Sequence, residues 1–280
     1  MACSPIMQRL ADVGPFAGAF WRVTLAIPVL YIWTKFHERG QSAPVRSLPL
    51  ASVLAGVIFA GDLFFWHLSV SQTSVANATF FATSAPVWVV IIGFMLWRNK
   101  VQGNILLGLA LCMVGGAALV WQTLSINPDH LIGDINGALT GVFFGTYFLC
   151  IEAARRNGSA ARITLEVTLI SAVLLFFPAY FWEGHILPHS LAGWIVMFGL
   201  AWLSHAGGQG LLSFALGRLP AVFSSLVIFL EAVAAAGLSW LILGESLAVI
   251  QILGGICILA GIWVAKPRKD PSSAVKDFSE

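Results

Sequence analysis

Apolar residues run through this chain in long blocks, separated by short polar or turn-forming breaks. A helix that crosses a bilayer needs about 20 mostly apolar residues, because its backbone must satisfy its own hydrogen bonds within the lipid. The blocks do not alternate between apolar and polar positions, as the strands of a membrane barrel do. We therefore predict an all-α membrane bundle with nine visible spanning helices. The predicted spans are residues 16–34, 50–69, 75–97, 103–122, 135–153, 163–182, 191–215, 220–243 and 247–265.

The composition of the chain indicates the same class of protein. Hydrophobic residues make up 58% of the 280 residues and charged residues 10%, against about 45–50% and 25% in ordinary globular proteins. So few charges cannot cover a water-exposed surface, which excludes a soluble domain, a disordered chain, a coiled coil and a nucleic-acid-binding protein. The four cysteines form no CxxC pair, and we expect neither a metal nor a cofactor. The expected surroundings are the lipid bilayer.

Basic residues lie almost entirely in alternate connections. The connections after the first, third, fifth and seventh spans, together with the C-terminal tail, carry 13 of the 15 Lys and Arg residues. The intervening connections near 70–74, 123–134, 183–190 and 244–246 carry none. By the positive-inside rule the basic connections face the cytoplasm. The sequence predicts a multi-pass protein of the cell (inner or plasma) membrane with a cytoplasmic C-terminus.

The two halves of the chain share glycines at a fixed spacing. A shift of 146 residues places Gly108 on Gly254 and Gly115 on Gly261. The basic turn at 98–100 then corresponds to the uncharged turn at 244–246, so the two copies are predicted to be inverted, as in many secondary transporters. The predicted units are a first repeat at residues 1–125, a second repeat at 126–266 and a cytoplasmic tail at 267–280.

The first repeat contains one helix fewer than the second. The second repeat has five predicted spans and the first has four, and residues 135–153 shifted back by 144 fall almost entirely before Met1. Residues Met7–Asp12 then correspond to the end of a helix and the connection after it. We hypothesise that one N-terminal helix of a ten-helix plan is missing, most simply through a start codon assigned too far downstream. The absence of an apolar segment in the upstream reading frame would contradict this hypothesis.

Three segments carry a family resemblance. Phe20-Trp21-Arg22 opens the first visible span, Ala76–Pro86 precedes an apolar helix, and the turn at Gly244-Glu245 precedes a last helix with spaced glycines. In these segments the chain resembles the EamA-type transporters of the drug/metabolite transporter superfamily. The resemblance implies a carrier with two inverted five-helix repeats that moves small metabolites, often amino acids or related compounds and often outward. The missing first helix and the Arg98-Asn99 turn, which replaces the Gly-Glu turn of the first repeat, depart from that pattern.

Two acids lie in the middle of predicted spans. A charged side chain at the centre of a bilayer costs about 2.5–3.5 kcal/mol on insertion scales, so Asp62 and Glu231 need a partner or a function. Ser224 shares a helix face with Glu231, and Trp66 shares one with Asp62. We predict that these residues bind a proton or a substrate, with a buried structural hydrogen bond as the alternative.

Other polar and aromatic residues are candidates for the same site. His205 and Gln209 are four residues apart among glycines, which favours either substrate contact or tight helix packing. Asn77, Phe81 and Ser84 are candidate walls of the site. We expect Arg22 and His67 to lie at the outer membrane interface. These two are therefore placed outside the predicted site.

The predicted function is secondary transport of a small metabolite by alternating access between the two repeats. Under the resemblance, an amino acid or related compound is the expected substrate and export the expected direction. The acids within the spans make protons the expected coupling ion. The chain has no GxxxxGK[ST] loop, so we expect no ATP hydrolysis. The alternatives are a non-transporting membrane scaffold or sensor, and an intramembrane enzyme that uses Asp62, Glu231, His67 and His205. Because HExxH and GxSxG are absent, we do not expect an enzyme.

Overall fold

The computed structural model describes residues 4–39, 48–98, 101–121, 128–156, 158–243 and 248–266. Throughout these ranges every regular element is a helix. The helices up to residue 121 are α1 (Ser4–Leu10), α2 (Pro15–Thr24), α3 (Ile27–His37), α4 (Leu50–Gln72), α5 (Val75–Ala82), α6 (Ala85–Trp97) and α7 (Gly103–Val120). The later helices are α8 (Leu131–Arg155), α9 (Ala160–Trp182), α10 (Leu191–Gly199), a π-helix (Leu200–Gln209), α11 (Gly210–Leu216), α12 (Ala221–Leu226), α13 (Phe229–Leu243) and α14 (Val249–Ala265). A short 3-10 turn, Pro128–His130, precedes α8.

Long apolar helical segments dominate the fold. Seven of them are long and apolar enough to cross a membrane: Pro15–His37, Leu50–Gln72, Val75–Leu96, Gly103–Val120, Pro128–Arg155, Ala160–Trp182 and Leu191–Leu216. Two shorter apolar segments, Ala221–Ala234 and Val249–Ala265, follow. Each predicted span overlaps one of these segments, so the membrane helical bundle is confirmed. The count of nine spanning helices stays a prediction, and the predicted 244–246 turn and 267–280 tail lie outside the described residues.

Three of these segments are interrupted near their middle. The break between α2 and α3 at Leu25–Ala26 and the break between α5 and α6 at Thr83–Ser84 each come just before a proline. Proline lacks a backbone N–H and clashes with the preceding turn, which explains both positions. The break between α12 and α13 at Val227–Ile228 has no proline beside it.

Helices α7 and α14 pack backbone against backbone through glycines. A Cβ built on Gly115 would lie 2.5 Å from the carbonyl oxygen of Gly254, and one built on Gly108 would lie 2.5 Å from the carbonyl oxygen of Gly261. Between these two contacts, the Cys112 thiol donates to the carbonyl of Ile258 at 3.6 Å. Small residues let membrane helices approach this closely and gain dispersion energy along the whole contact.

A second glycine face lies on α8 and receives the broken span formed by α5 and α6. Cβ atoms built on Gly141 and Gly145 would lie 2.7 Å from the carbonyl oxygens of Phe81 and Ala85, respectively. Gly137, one turn earlier, lies against the Cβ of Phe81. The glycines therefore fix how closely the break at Thr83–Ser84 approaches α8.

At one end of the bundle, the connection after α9 caps the start of α2. The Glu183 carboxylate accepts hydrogen bonds from the backbone N–H groups of Phe16 at 2.6 Å and Ala17 at 2.7 Å. The first N–H groups of a helix have no partner within it, and the helix dipole favours a negative charge there. Burial raises the pKa of the Glu183 carboxyl, and the two N–H bonds act in the opposite direction.

The connection before α2 makes the reciprocal contact. The Asp12 carboxylate lies at the start of α10 against Gly193, and the Ser190 hydroxyl beside it lowers the pKa of Asp12. Trp21 Nε1 also donates to the carbonyl of Ile186 at 2.6 Å. We call these contacts of Asp12, Trp21 and Glu183 the clasp. It joins the first half of the chain to the second at this end of the bundle.

Loss of the Glu183 carboxylate is expected to weaken the clasp measurably. Glu183→Ala leaves two helix N–H groups without an acceptor and should destabilise the protein by about 1 kcal/mol, the usual cost of a lost helix cap. Glu183→Gln keeps one acceptor oxygen and should have a smaller effect. Thermal unfolding in detergent measures both, with Glu152→Ala near the other end of the bundle as the control. Equal melting temperatures for Glu183→Ala and the unmodified protein would contradict this role.

Candidate functional site

A small cavity lies at the centre of the bundle, where both halves of the chain meet. The first half contributes side chains from α1, α2, α4, α5 and the break that follows α5; the second half contributes side chains from α8, the π-helix and the region around the break between α12 and α13. The lining residues are Ser4, Pro5, Arg22, Asp62, Leu63, Trp66, Thr79, Ala82, Thr83, Thr140, Phe144, Gln209, Ile228 and Glu231.

The two predicted acids face this one cavity from different halves. Asp62 comes from the middle of α4 and is only 6% exposed. Glu231 stands in the first turn of α13, directly after the break at Val227–Ile228. The break therefore places a carboxyl group and the start of a half-helix at the cavity wall together.

Arg22 also lines the cavity, so its predicted place at the outer interface is wrong. It is 5% exposed, and its guanidinium carbon lies 5.1 Å from the centre of the Trp66 ring. It interacts electrostatically with Asp62 and Glu231 across the cavity. The bundle buries this residue because α2 packs against α4 and α9 instead of standing at the lipid boundary.

Trp66 and Gln209, both predicted, complete the polar part of the wall. Trp66 presents its ring face to the guanidinium, which is the favourable geometry for a cation–π contact. The carbonyl oxygen of the Gln209 side chain accepts a hydrogen bond from the Tyr147 hydroxyl at 3.2 Å. That bond fixes Gln209 at the cavity edge.

Of the predicted pair His205 and Gln209, only Gln209 lines the cavity. His205 is fully buried, its Nε2 is 2.9 Å from the Thr168 hydroxyl, and it does not line the cavity. Both residues belong to the π-helix. Only Gln209 reaches the cavity, while His205 packs against Thr168 of α9.

Four other candidates lie outside the cavity. Asn77 donates to the Asp134 carboxylate at 2.9 Å near the start of α5. The Ser84 hydroxyl donates to the carbonyl of Phe81 at 2.6 Å, and both residues pack against α8. Ser224 is buried in α12 away from the cavity. The structure thus brings Asp62, Trp66, Gln209 and Glu231 together and leaves His205, Asn77, Phe81, Ser84 and Ser224 apart from them.

His67 is fully buried, so its predicted exposure at the outer interface is also wrong. Its ring contacts that of Trp66 with the centres 4.8 Å apart. Among the described residues neither ring nitrogen has a hydrogen-bond partner. His67 therefore stands directly behind the cavity wall.

Three threonines of the cavity wall are missed by the sequence pattern. Two of them donate their hydroxyl to the preceding turn of their own segment, Thr83 to the carbonyl of Phe80 and Thr140 to the carbonyl of Asn136. Such back-bonding is common for threonine anywhere in a membrane helix. The sequence therefore carries no signal that separates these residues from other helical threonines.

Comparison with known proteins places this bundle in a family. The sequence matches the EamA-like transporter family over residues 1–121 and 131–265, which is most of its length. The chain belongs to the EamA-like transporter family.

Relatives of this EamA-like protein carry transporter names. It is 27% identical over 198 residues to an uncharacterized transporter of Archaeoglobus fulgidus, covering 70% of this chain and 69% of the relative. It is 24% identical over 248 residues to the pseudopaline exporter of Pseudomonas aeruginosa, covering 87% and 84%. A crystal structure that is 16% identical superposes with a TM-score of 0.79 over 94% of this chain and 92% of the other, which supports the fold.

The central cavity of this EamA-like protein has a volume of about 60 Å³. That volume holds a few water molecules, whereas pockets for small-molecule ligands measure about 300–1,000 Å³. The cavity in this structure is therefore smaller than such a pocket. Two helix breaks, at Thr83–Ser84 and Val227–Ile228, border it.

A larger groove of about 290 Å³ opens at the end of the bundle opposite the clasp. It lies between α6, α8 and the start of α12, and Glu152 and Arg156 stand on its α8 side. Helix α8 also lines the central cavity, at Thr140 and Phe144, so the groove and the cavity lie along one helix.

Proposed function

We propose that this protein is a secondary transporter that moves a small metabolite across the cell membrane by alternating access, with protons as the coupling ion. The observation that carries the proposal is the meeting of Asp62 and Glu231 in one central cavity, from opposite halves of the chain. Ionisable groups buried at membrane depth are costly, and they mark ion and substrate pathways in membrane proteins.

The helix breaks support a transport site at this cavity. Thr83–Ser84 and Val227–Ile228 are 144 residues apart, within two residues of the 146-residue shift that relates the glycines of the two halves. Both breaks border the cavity, through Thr83 and Ile228. Discontinuous helices at corresponding positions of two repeats are characteristic of secondary-transporter binding sites.

The contact between α7 and α14 supports the inverted-repeat arrangement. Under the shift of 146, Gly108 corresponds to Gly254 and Gly115 to Gly261. Gly108 touches Gly261, and Gly115 touches Gly254, so each glycine meets the counterpart of the other. A two-fold axis produces this reciprocal pattern. We therefore assign residues 1–125 and 126–266 to two inverted repeats, with the axis passing near Cys112.

Orientation and direction follow from the charge pattern and the relatives. By the positive-inside rule, the basic connections support a cytoplasmic C-terminus, with the groove beside Arg156 on the cytoplasmic side of the plasma membrane and the clasp on the outer side. Export is the direction we propose, because a relative that covers most of the chain is named an exporter. An amino acid or a related compound is the proposed substrate.

Transport accounts for the site better than the two alternatives. An intramembrane enzyme would bring reactive groups together, but His67 and His205 both lie outside the cavity that contains Asp62 and Glu231. A scaffold or sensor would not need a polar cavity with acids from both halves. In the alternating-access proposal, these acids bind the coupling proton or the substrate.

A labelling experiment tests alternating access without knowledge of the substrate. The four native cysteines are replaced by serine, and Thr83→Cys supplies a single thiol in the cavity wall. We expect a membrane-impermeant thiol reagent to label it from the outside in spheroplasts and from the inside in inverted vesicles. Ser52→Cys, buried away from the cavity, should not be labelled.

The labelling pattern separates the functions. A carrier is expected to be labelled from either side in separate preparations. When the bound reagent holds the cavity open to one side, the cavity should be inaccessible from the other side. A cavity closed to the reagent from both sides would indicate a scaffold. A cavity open to both sides simultaneously would indicate a channel. Either result would overturn the proposed mechanism.

A further inference from the structure

The guanidinium of Arg22 has unused hydrogen-bonding capacity in the central cavity. Arginine carries five N–H donors. The described structure gives this side chain one hydrogen bond, from Nη2 to the Ser204 hydroxyl at 3.5 Å, which is at the long limit for such a bond. Its Nε is buried and has no acceptor among the described residues.

No described carboxylate neutralises Arg22 by direct contact. The ion pairs found within 4.0 Å among the described residues are those of Arg162, with Glu38 and Glu166. Asp62 and Glu231 act on Arg22 at longer range, from other positions on the cavity wall. A buried charge is expensive without a partner, and removal of water from its unused donors adds to that cost. A guanidinium that faces a cavity with unused donors can bind an anionic ligand that enters the cavity.

We propose that Arg22 is the anchor for a carboxylate group of the transported solute. This inference rests on the proposed function, because it assigns a ligand to the same cavity. The planar guanidinium fork matches the two oxygens of a carboxylate, and such paired bonds are among the strongest that side chains make. The Trp66 ring over the guanidinium holds the fork in one orientation.

The acids of the cavity favour a carboxylate over a phosphate. A phosphate group brings up to two negative charges into a site that also contains Asp62 and Glu231. A carboxylate brings one negative charge and so adds less repulsion from Asp62 and Glu231. Like charges in a space with little water repel strongly, so the smaller charge is the better fit.

Matched probes test the proposal on the unmodified protein. Thermal unfolding in detergent is measured with leucine and leucinamide, phenylalanine and phenylalaninamide, and butyrate and butyramide, members of each pair differing at the carboxylate. We expect the carboxylate member of each pair to raise the melting temperature of the protein and the amide member to leave it unchanged. The protein should bind the carboxylate about tenfold or more tightly than the amide. Stabilisation by the amides to the same extent, or by no carboxylate, would overturn the proposal.

Variants of Arg22 assign the effect to this residue. Arg22→Lys keeps the charge but not the fork and should bind carboxylate probes more weakly, and Arg22→Gln should lose the distinction between acid and amide. Arg156→Gln, in the groove, is the control and should still distinguish the acid from the amide. Retention of the distinction by Arg22→Gln would also overturn the proposal. The labelling of Thr83→Cys tests the transport proposal separately, so failure of one experiment is not confused with failure of the other.

Discussion

Replacement of Glu231 by glutamine is expected to lower proton-dependent transport by about tenfold or more, equivalent to at least about 1.4 kcal/mol. Glutamine has nearly the shape of glutamate and keeps a hydrogen-bonding group in the cavity, but it cannot bind and release a proton. The measurement is substrate-dependent proton movement in proteoliposomes, followed with a pH-sensitive dye inside the vesicles. The substrate is whichever probe stabilises the unmodified protein.

Glu166→Gln provides the matched control. Glu166 is also a shielded carboxyl within a long helix, but it accepts a hydrogen bond from Arg162 at 3.3 Å and does not line the cavity. We expect this variant to keep the normal rate. Normal proton movement in Glu231→Gln would remove Glu231 from the coupling mechanism, whereas equal losses in both variants would point to a general effect of removing a buried acid.

Gly115→Ala is expected to destabilise the bundle by about 1–3 kcal/mol, the usual range for overpacking. The added Cβ would lie 2.5 Å from the carbonyl oxygen of Gly254 and 2.9 Å from Ile258, so α7 and α14 must separate. In an ordinary helix position the same substitution is favourable by about 1 kcal/mol. Packing should thus reverse the sign of the effect.

The same substitution at Gly93 gives the comparison. A Cβ built there meets nothing within 4 Å, so Gly93→Ala should be neutral or stabilising. Thermal unfolding in detergent compares the two variants. Similar melting temperatures for Gly115→Ala and Gly93→Ala would contradict close backbone packing between α7 and α14.

The helices and the two acids follow directly from the sequence. Long apolar runs force helices in a membrane, and an acid in the middle of such a run is conspicuous because of its insertion cost. The sequence pattern alone is therefore enough to single out Asp62 and Glu231. Proline likewise signals the break ahead of Pro86, since it lacks a backbone N–H and clashes with the preceding turn.

The rest of the cavity depends on features that the sequence pattern does not express. Long basic side chains near helix ends usually reach the headgroups, which favours an interface position for Arg22, but tertiary packing buries it. Helical spacing pairs His205 with Gln209, but the packing of the bundle places only Gln209 at the cavity and His205 against Thr168. Thr79, Thr83 and Thr140 look the same in sequence as any threonine of a membrane helix.

The two ends of the bundle differ in how their helices are joined. The clasp ties α2 to the connection between α9 and α10 at one end, while the groove beside Glu152 and Arg156 stays open at the other. Under the proposed transport cycle and orientation, the clasp would be the gate on the outer side. An opening of the bundle at that end would require the N–H groups of Phe16 and Ala17 to leave the Glu183 carboxylate.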